Sequence, residues 1–256
     1  MKLKSRKLTG GQAAVKSLKK EQVKHVFGLI GSATMEMFDA LYHEKQIKFI
    51  DVRDERTGTH MADGYARASN QPGVIIAGQN GPGATNLVTG LAQAKAAFSP
   101  VVSLAGLYST KDKIEDAFQG LNQQSLFEPV TKKTITLKNS KNIPYAISDG
   151  FNVAMSPRRG PVCINLPRNL LAEKNNYKIN EKIKLFKNTN DTQSNPNSIK
   201  RAAKLISNSF KGLIIVGGGI KYTSGFKTII KLAEYLNVPI VTAAGHGDAI
   251  PFNHKL

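Results

Sequence analysis

The 256-residue chain has no tryptophan, one cysteine and half as many acidic residues as basic ones. A lone Cys163 excludes an intrachain disulfide, and without several other ligand types beside it a zinc site is excluded too. No apolar run approaches the ~18 residues of a membrane span, so no membrane role is expected. The N-terminal Met1-Lys2-Leu3-Lys4-Ser5-Arg6-Lys7 is basic, but polar, glycine-containing sequence follows it in place of an apolar h-region. It does not read as a secretory signal. The expectation is a soluble, cytoplasmic protein.

Acidic residues are few enough to leave a formal charge of +18. Such a balance is compatible with nucleic acid or an anionic cofactor as partner. However, lysine far outnumbers arginine and is scattered along the whole chain, with no arginine stripe interleaved with aromatics. That pattern is a solvated lysine-rich surface, and no nucleic-acid role is expected. Hydrophobic residues at 41% and charged residues at 21% are ordinary globular composition.

Two kinds of segment alternate. Helical apolar spacing over Thr9–Lys24, Ala33–His43, Glu55–Ala68, Ala84–Phe98 and Ile143–Met155 is separated by short apolar runs. These runs are His25–Ile30, Ile47–Val52, Gly73–Ala77, Pro100–Ala105, Thr134–Leu137 and Pro161–Leu166. Strands and helices in this rhythm predict an α/β fold, a parallel sheet with helices on both faces. From 178 to 198 the sequence turns polar and reads as a linker. A second α/β unit follows over 199–256, with helices at Ile199–Ser207 and Phe226–Leu236 and strands at Leu213–Val216 and Val238–Thr242. Two strands close neither face of a sheet, so this unit is expected to be marginal alone, an incomplete Rossmann-like domain that further chain or a partner completes.

Ligands of parallel α/β sheets bind at the carboxyl ends of the strands. Four loops converge there: Gly31-Ser32, Asp54-Glu55, Gln79-Asn80-Gly81-Pro82-Gly83 and Gly106-Leu107. The Gly81-Pro82-Gly83 loop lets backbone approach a flat ligand, although a tight strand-to-helix turn needs glycine anyway. Glu55 is a candidate catalytic carboxylate, although a carboxylate heading a helix is favoured by the macrodipole without any function.

Taken in order, four segments are informative: Phe27-Gly28-Leu29-Ile30-Gly31-Ser32-Ala33, Phe49-Ile50-Asp51-Val52-Arg53-Asp54-Glu55, His60 to Arg67, and Gly78-Gln79-Asn80-Gly81-Pro82-Gly83-Ala84-Thr85-Asn86. Together they resemble the pyrimidine-binding domain of thiamine-diphosphate enzymes of the acetolactate synthase and pyruvate oxidase group. Phe118-Gln119, Pro129-Val130-Thr131-Lys132 and Gly160-Pro161-Val162 match further positions. Gly28–Ala33 and Gly78–Gly83, with His246-Gly247-Asp248-Ala249-Ile250-Pro251, look most like sulfoacetaldehyde acetyltransferase, whereas Gly83–Gly90 is closer to acetolactate synthase.

The resemblance implies residues 1–177 as the pyrimidine-binding domain, 178–198 as linker and 199–256 as the start of a central domain. It implies thiamine diphosphate as cofactor, with Glu55 catalytic at the aminopyrimidine, where a buried carboxyl stabilises the imino tautomer. Ile30 and Gly31 would line the pyrimidine, Pro82, Asn86 and Gln119 would complete the pocket, and Phe118 with Gln119 would approach the substrate. That substrate would be a small 2-oxo acid or a sulfoacetaldehyde-type molecule.

Departures accompany it. The family commonly has His-Glu-Gln where this chain has Asp54-Glu55-Arg56, and Phe-Gln-Glu where it has Phe118-Gln119-Gly120. Family members hold the diphosphate and Mg²⁺ on a separate domain through Gly-Asp-Gly and a later Asn. Gly247-Asp248-Ala249 does not match, so no metal site is expected on this chain, nor turnover by the chain alone. A homo-oligomer, or a partner carrying the diphosphate-binding domain, is implied. Gly217-Gly218-Gly219 is a candidate to face FAD, but it lacks a full Gly-x-Gly-x-x-Gly and a tight turn accounts for it better. Cys163 reads as core, and Arg158-Arg159 as solvated charge.

Overall fold

Alternation of buried side chains builds the first unit. In the computed structural model, which describes residues 7–179, 194–222 and 225–256, the chain divides into two units, Met1–Phe186 and Lys187–Leu256. The first opens with a two-residue strand β1 (Leu8–Thr9) and helix α1 (Gly10–Lys20). A reciprocal Thr9–Gln12 cap starts this helix. It stops short of the predicted Lys24, and Gln22 adopts a left-handed φ of 60°. There follow β2 (His25–Leu29), α2 (Met35–Tyr42), β3 (Lys48–Asp51), α3 (Glu55–Ser69), β4 (Gly73–Ala77), α4 (Pro82–Ala96) and β5 (Val101–Leu107). Then come α5 (Gln123–Phe127), β6 (Lys133–Thr136), α6 (Ile143–Met155), β7 (Val162–Pro167), α7 (Arg168–Ala172) and β8 (Lys174–Asn175). β8 pairs antiparallel with β1.

Six strands form one sheet in the order β3-β2-β4-β5-β7-β6, every pair parallel. The α/β class expected from the sequence is therefore the observed one. Because strand side chains alternate, neighbouring residues enter different cores. Val26, Val74, Ile76, Val102, Leu104 and Ile164 pack with α1, α2 and α6 on one face. Phe27, Ile75, Ala77, Val101, Ala105 and Cys163 pack with α3, α4 and α5 on the other. α2 leaves β2 for the first face and α4 leaves β4 for the second, so a topological switch point opens between the carboxyl ends of β2 and β4.

The expectation that Arg158 and Arg159 are both solvated is half right. Arg158 is exposed and stacks over the Phe98 ring at 5.1 Å. Arg159 is buried, and its Nη1 donates to Asn70 Oδ1. Burial is possible because the left-handed Asn70 cap of α3 presents its amide oxygen there. Cys163 is fully buried, and burial pushes its thiol up to about 12.

In the second unit, α8 (Pro196–Ser207), β9 (Ile214–Val216), α9 (Gly225–Leu236) and β10 (Ile240–Thr242) surround a two-stranded parallel sheet. Its small core holds Val216, Ala233, Ile240 and Ala249. Most of the predicted linker falls on 180–193, outside the described residues; α8 begins at Pro196, inside its predicted end. The Gly217-Gly218-Gly219 run leads into a 3₁₀ turn. A Cβ on Gly218 would lie 2.4 Å from the His246 ring, so this glycine is needed for packing.

Candidate functional site

At the switch point the chain meets itself backbone to backbone. The Ala33 amide donates to the Gly78 carbonyl at 3.0 Å, and a Cβ on Gly31 would lie 2.4 Å from the Gly78 carbonyl carbon. This contact joins the loop after β2 to the loop after β4. Gly81, at φ 60° and ψ −105°, then turns the chain into α4, with Pro82 in its first turn. A proline there loses no helical hydrogen bond.

Glu55 is the first residue of α3 and is 4% exposed. Asp54 caps the helix before it, its carboxyl accepting the Arg56 N–H at 2.8 Å. The Arg56 side chain closes onto the same carboxylate at 2.7 Å. These contacts, the side-chain hydrogen bonds before the backbone one, hold the Asp54 carboxyl down at about 2. Two adjacent carboxyls thus have separate environments. Asp54 is solvated and committed to Arg56, whereas Glu55 is turned into the protein.

Asn86, one turn into α4, donates from Nδ2 to Glu55 Oε2 at 2.9 Å. Oε1 has no hydrogen-bond donor among the described residues. It faces Gly83, where a Cβ would come within 3.0 Å of it. Seven residues on, a Cβ at Gly90 would lie 2.5 Å from Thr59 Cβ. Glycines at this spacing share a helix face, so α4 approaches α3 closely along its length.

Gln79 organises the rest. Its Oε1 accepts from Ser32 Oγ at 2.9 Å and its Nε2 donates to Gln119 Oε1 at 2.6 Å. Gln119 sits in the long loop after β5 at φ 57°, and the Asn80 amide pins that loop through the carbonyls of Phe118 and Gln119. Below lies Gln123, 1% exposed. Its Oε1 accepts the Gly81 N–H at 3.2 Å, and its Nε2 donates to Gly106 O and Asn165 Oδ1.

Of the residues singled out in the sequence, the structure brings Glu55 and Asn86 into direct contact and ties Gln119 to the same loop through Gln79. Gly31 abuts that loop from β2, and Pro82 is exposed at the start of α4. Ile30 and Phe118 lie exposed at 56% and 80%. Sequence reasoning missed Gln79, Asn80 and Gln123 as structural members of the site. The first two stood in the glycine loop already noticed; Gln123 lay in a stretch without periodicity. Among the described residues no three His, Cys, Asp or Glu side chains converge as a metal group, and no helix is long and apolar enough to cross a membrane.

A parallel sheet with a buried carboxyl and a glycine-headed helix at its switch point belongs to the class of α/β domains whose ligands bind there. Two family models give that class its identity. The thiamine pyrophosphate enzyme N-terminal TPP binding domain matches residues 8–126, and the thiamine pyrophosphate enzyme central domain matches 199–256. The chain belongs to the thiamine pyrophosphate enzyme family. It is 38% identical over 252 residues to a probable acetolactate synthase large subunit of Methanococcus aeolicus, covering 97% of this chain and 42% of that protein. It is 34% identical over 250 residues to the acetolactate synthase isozyme 3 large subunit of Escherichia coli, covering 97% and 43%. The chain thus spans less than half the length of the curated relatives it matches.

Proposed function

We propose that this chain supplies the pyrimidine-binding side of an acetolactate synthase-type enzyme, which joins a two-carbon unit from one 2-oxo acid to a second. The observation that carries this reading is Glu55. Its carboxyl is buried, one oxygen is held by Asn86, and the other faces the space that Gly83 leaves. That arrangement fits a flat heteroaromatic ring needing one hydrogen-bonding carboxyl at its edge.

Thiamine diphosphate, when bound, supplies a carbon centre that stabilises the negative charge developing next to a carbonyl. The Glu55 carboxyl would hold or return a proton at the pyrimidine ring nitrogen, with Asn86 keeping it from rotating away. Ile30 and Gly31 line the pyrimidine, Pro82 and Gln119 close its pocket, and Phe118 with Gln119 approaches the substrate. Residues 1–177 form this domain, 178–198 connect it, and 199–256 begin the central domain. The diphosphate and Mg²⁺ would be held outside residues 1–256, on a domain supplied by a homo-oligomer or a partner. The setting is the cytoplasm.

The relatives' names favour a 2-oxo acid over the sulfoacetaldehyde-type substrate suggested by Gly28–Ala33, Gly78–Gly83 and His246–Pro251. One experiment separates them. The assembly isolated from its own cells through this chain is given pyruvate, or sulfoacetaldehyde with inorganic phosphate as the acetyl acceptor, together with thiamine diphosphate and Mg²⁺. Carbon dioxide release from pyruvate is expected, falling on the order of 10²–10⁴-fold in Glu55→Gln. Sulfite release instead would reassign the substrate, and full activity in Glu55→Gln would overturn the site.

A further inference from the structure

β6 is an edge strand, pairing only with β7 among the described residues, so one side of its backbone lies outside any ladder. Beside it, between β6 and α6, runs an open groove of about 330 Å³. On the helix side it is lined by Asn142, Tyr145, Ala146 and Asp149, a spacing that makes one continuous stripe. On the strand side Ile135 contributes its half-buried side chain, and the Tyr145 ring stands 71% exposed.

Positive charge is in excess around this groove, Asp149 being the one carboxylate that lines it. Between Lys132 and Lys141 there are four lysines and no carboxylate. Lys133 pairs with Asp149 at 2.7 Å. Lys138, which lines the groove, and Lys141, just beyond it, have no ion-pair partner among the described residues.

We propose that this edge is a docking surface for an extended acidic segment of a partner polypeptide, which adds to β6 as a further strand. On the side outside the ladder, only the Thr134 carbonyl has a partner among the described residues, Gln124 Nε2 at 3.5 Å. This backbone selects a strand over a small molecule, because an added strand satisfies main-chain groups while alternate side chains enter the groove. Charge selects the partner. A second copy of β6 would set lysine against lysine across the new ladder, which is unfavourable. Edge lysines are a common defence against such self-pairing. Aspartate or glutamate on the incoming strand meets Lys138 and Lys141, and its alternate apolar residues cover Ile135 and Tyr145.

The test needs neither cofactor nor turnover, so its outcome is independent of the assignment of Glu55. The full chain is mixed at about 0.15 M salt with a peptide of roughly eight residues alternating valine and glutamate, or valine and lysine. Amide hydrogen exchange is followed residue by residue. Slowed exchange at Lys133–Leu137 with the acidic peptide only is expected. K138E/K141E should weaken binding roughly tenfold, whereas K16E/K113E, an equal change of net charge elsewhere, should change it less than about twofold. Absence of protection on β6, protection by either peptide, or equal losses in the two double variants would overturn the proposal.

Discussion

Single residues show how burial redirects ordinary chemistry here. Glu21 follows the last turn of α1, where a carboxylate opposes the helix dipole, and its Oε1 is buried without a hydrogen-bond partner. Burial first, against the weaker opposing effects of Ser148 and Lys20, raises its carboxyl from 4.5 to about 7. A carboxyl raised in the folded state gives stability that is complete below its unfolded value and lost as pH rises through the folded one. Wild type should therefore lose stability between about pH 4.5 and 7. Glu21→Gln should melt with wild type at pH 4 and above it at pH 8, by on the order of 1 kcal/mol after solvent screening. Melting curves at the two pH values check this. Glu55 carries a different lesson. Its place at the head of a helix is readable from local pattern, but its burial follows only from the family resemblance, because the groups against it are Asn86 and Gly83, about thirty residues away on α4.

Among the elements, the contact between α3 and α4 shapes the site. Gly90 occupies an internal helix position, where alanine is favoured by about 1 kcal/mol. Its would-be Cβ falls 2.5 Å from Thr59. Gly90→Ala should accordingly destabilise the protein by about 1–3 kcal/mol, overpacking outweighing propensity, with urea denaturation as the measurement. The six main strands and the helices between them were legible because apolar period and strand length agree. Edges were less so. Ala84 was predicted to start α4, yet Pro82 already occupies its first turn. α5 escaped prediction because five residues give too little period to read, and its Gln123 matters through distant partners on three loops and strands.

At the scale of the whole chain, the two units differ in how much surface each hides. The first has a cluster on either face of six strands. In the second, α8 buries no residue, and Ile199, Leu205, Leu213 and Ile215 stay exposed. Local opening free energy follows buried apolar contact, so amides of β9 and β10 should exchange much faster than those of β4, β5 and β7. Mass-resolved hydrogen exchange would show this as two separate classes of protection, and a single class would contradict it.

The buried thiol of β7 has a practical consequence. With no tryptophan in the chain, intrinsic fluorescence offers little to follow unfolding. Cys163 offers a chemical clock instead. Its thiol is enclosed in the core between the sheet and the helices α4 and α5, protonated at physiological pH and out of reach of reagents. A disulfide dye added in excess can react only when the central sheet opens, and one adduct per chain is the maximum. The labelling rate then records the lifetime of the six-stranded sheet alone, and the second unit, which has no cysteine, leaves no mark on it.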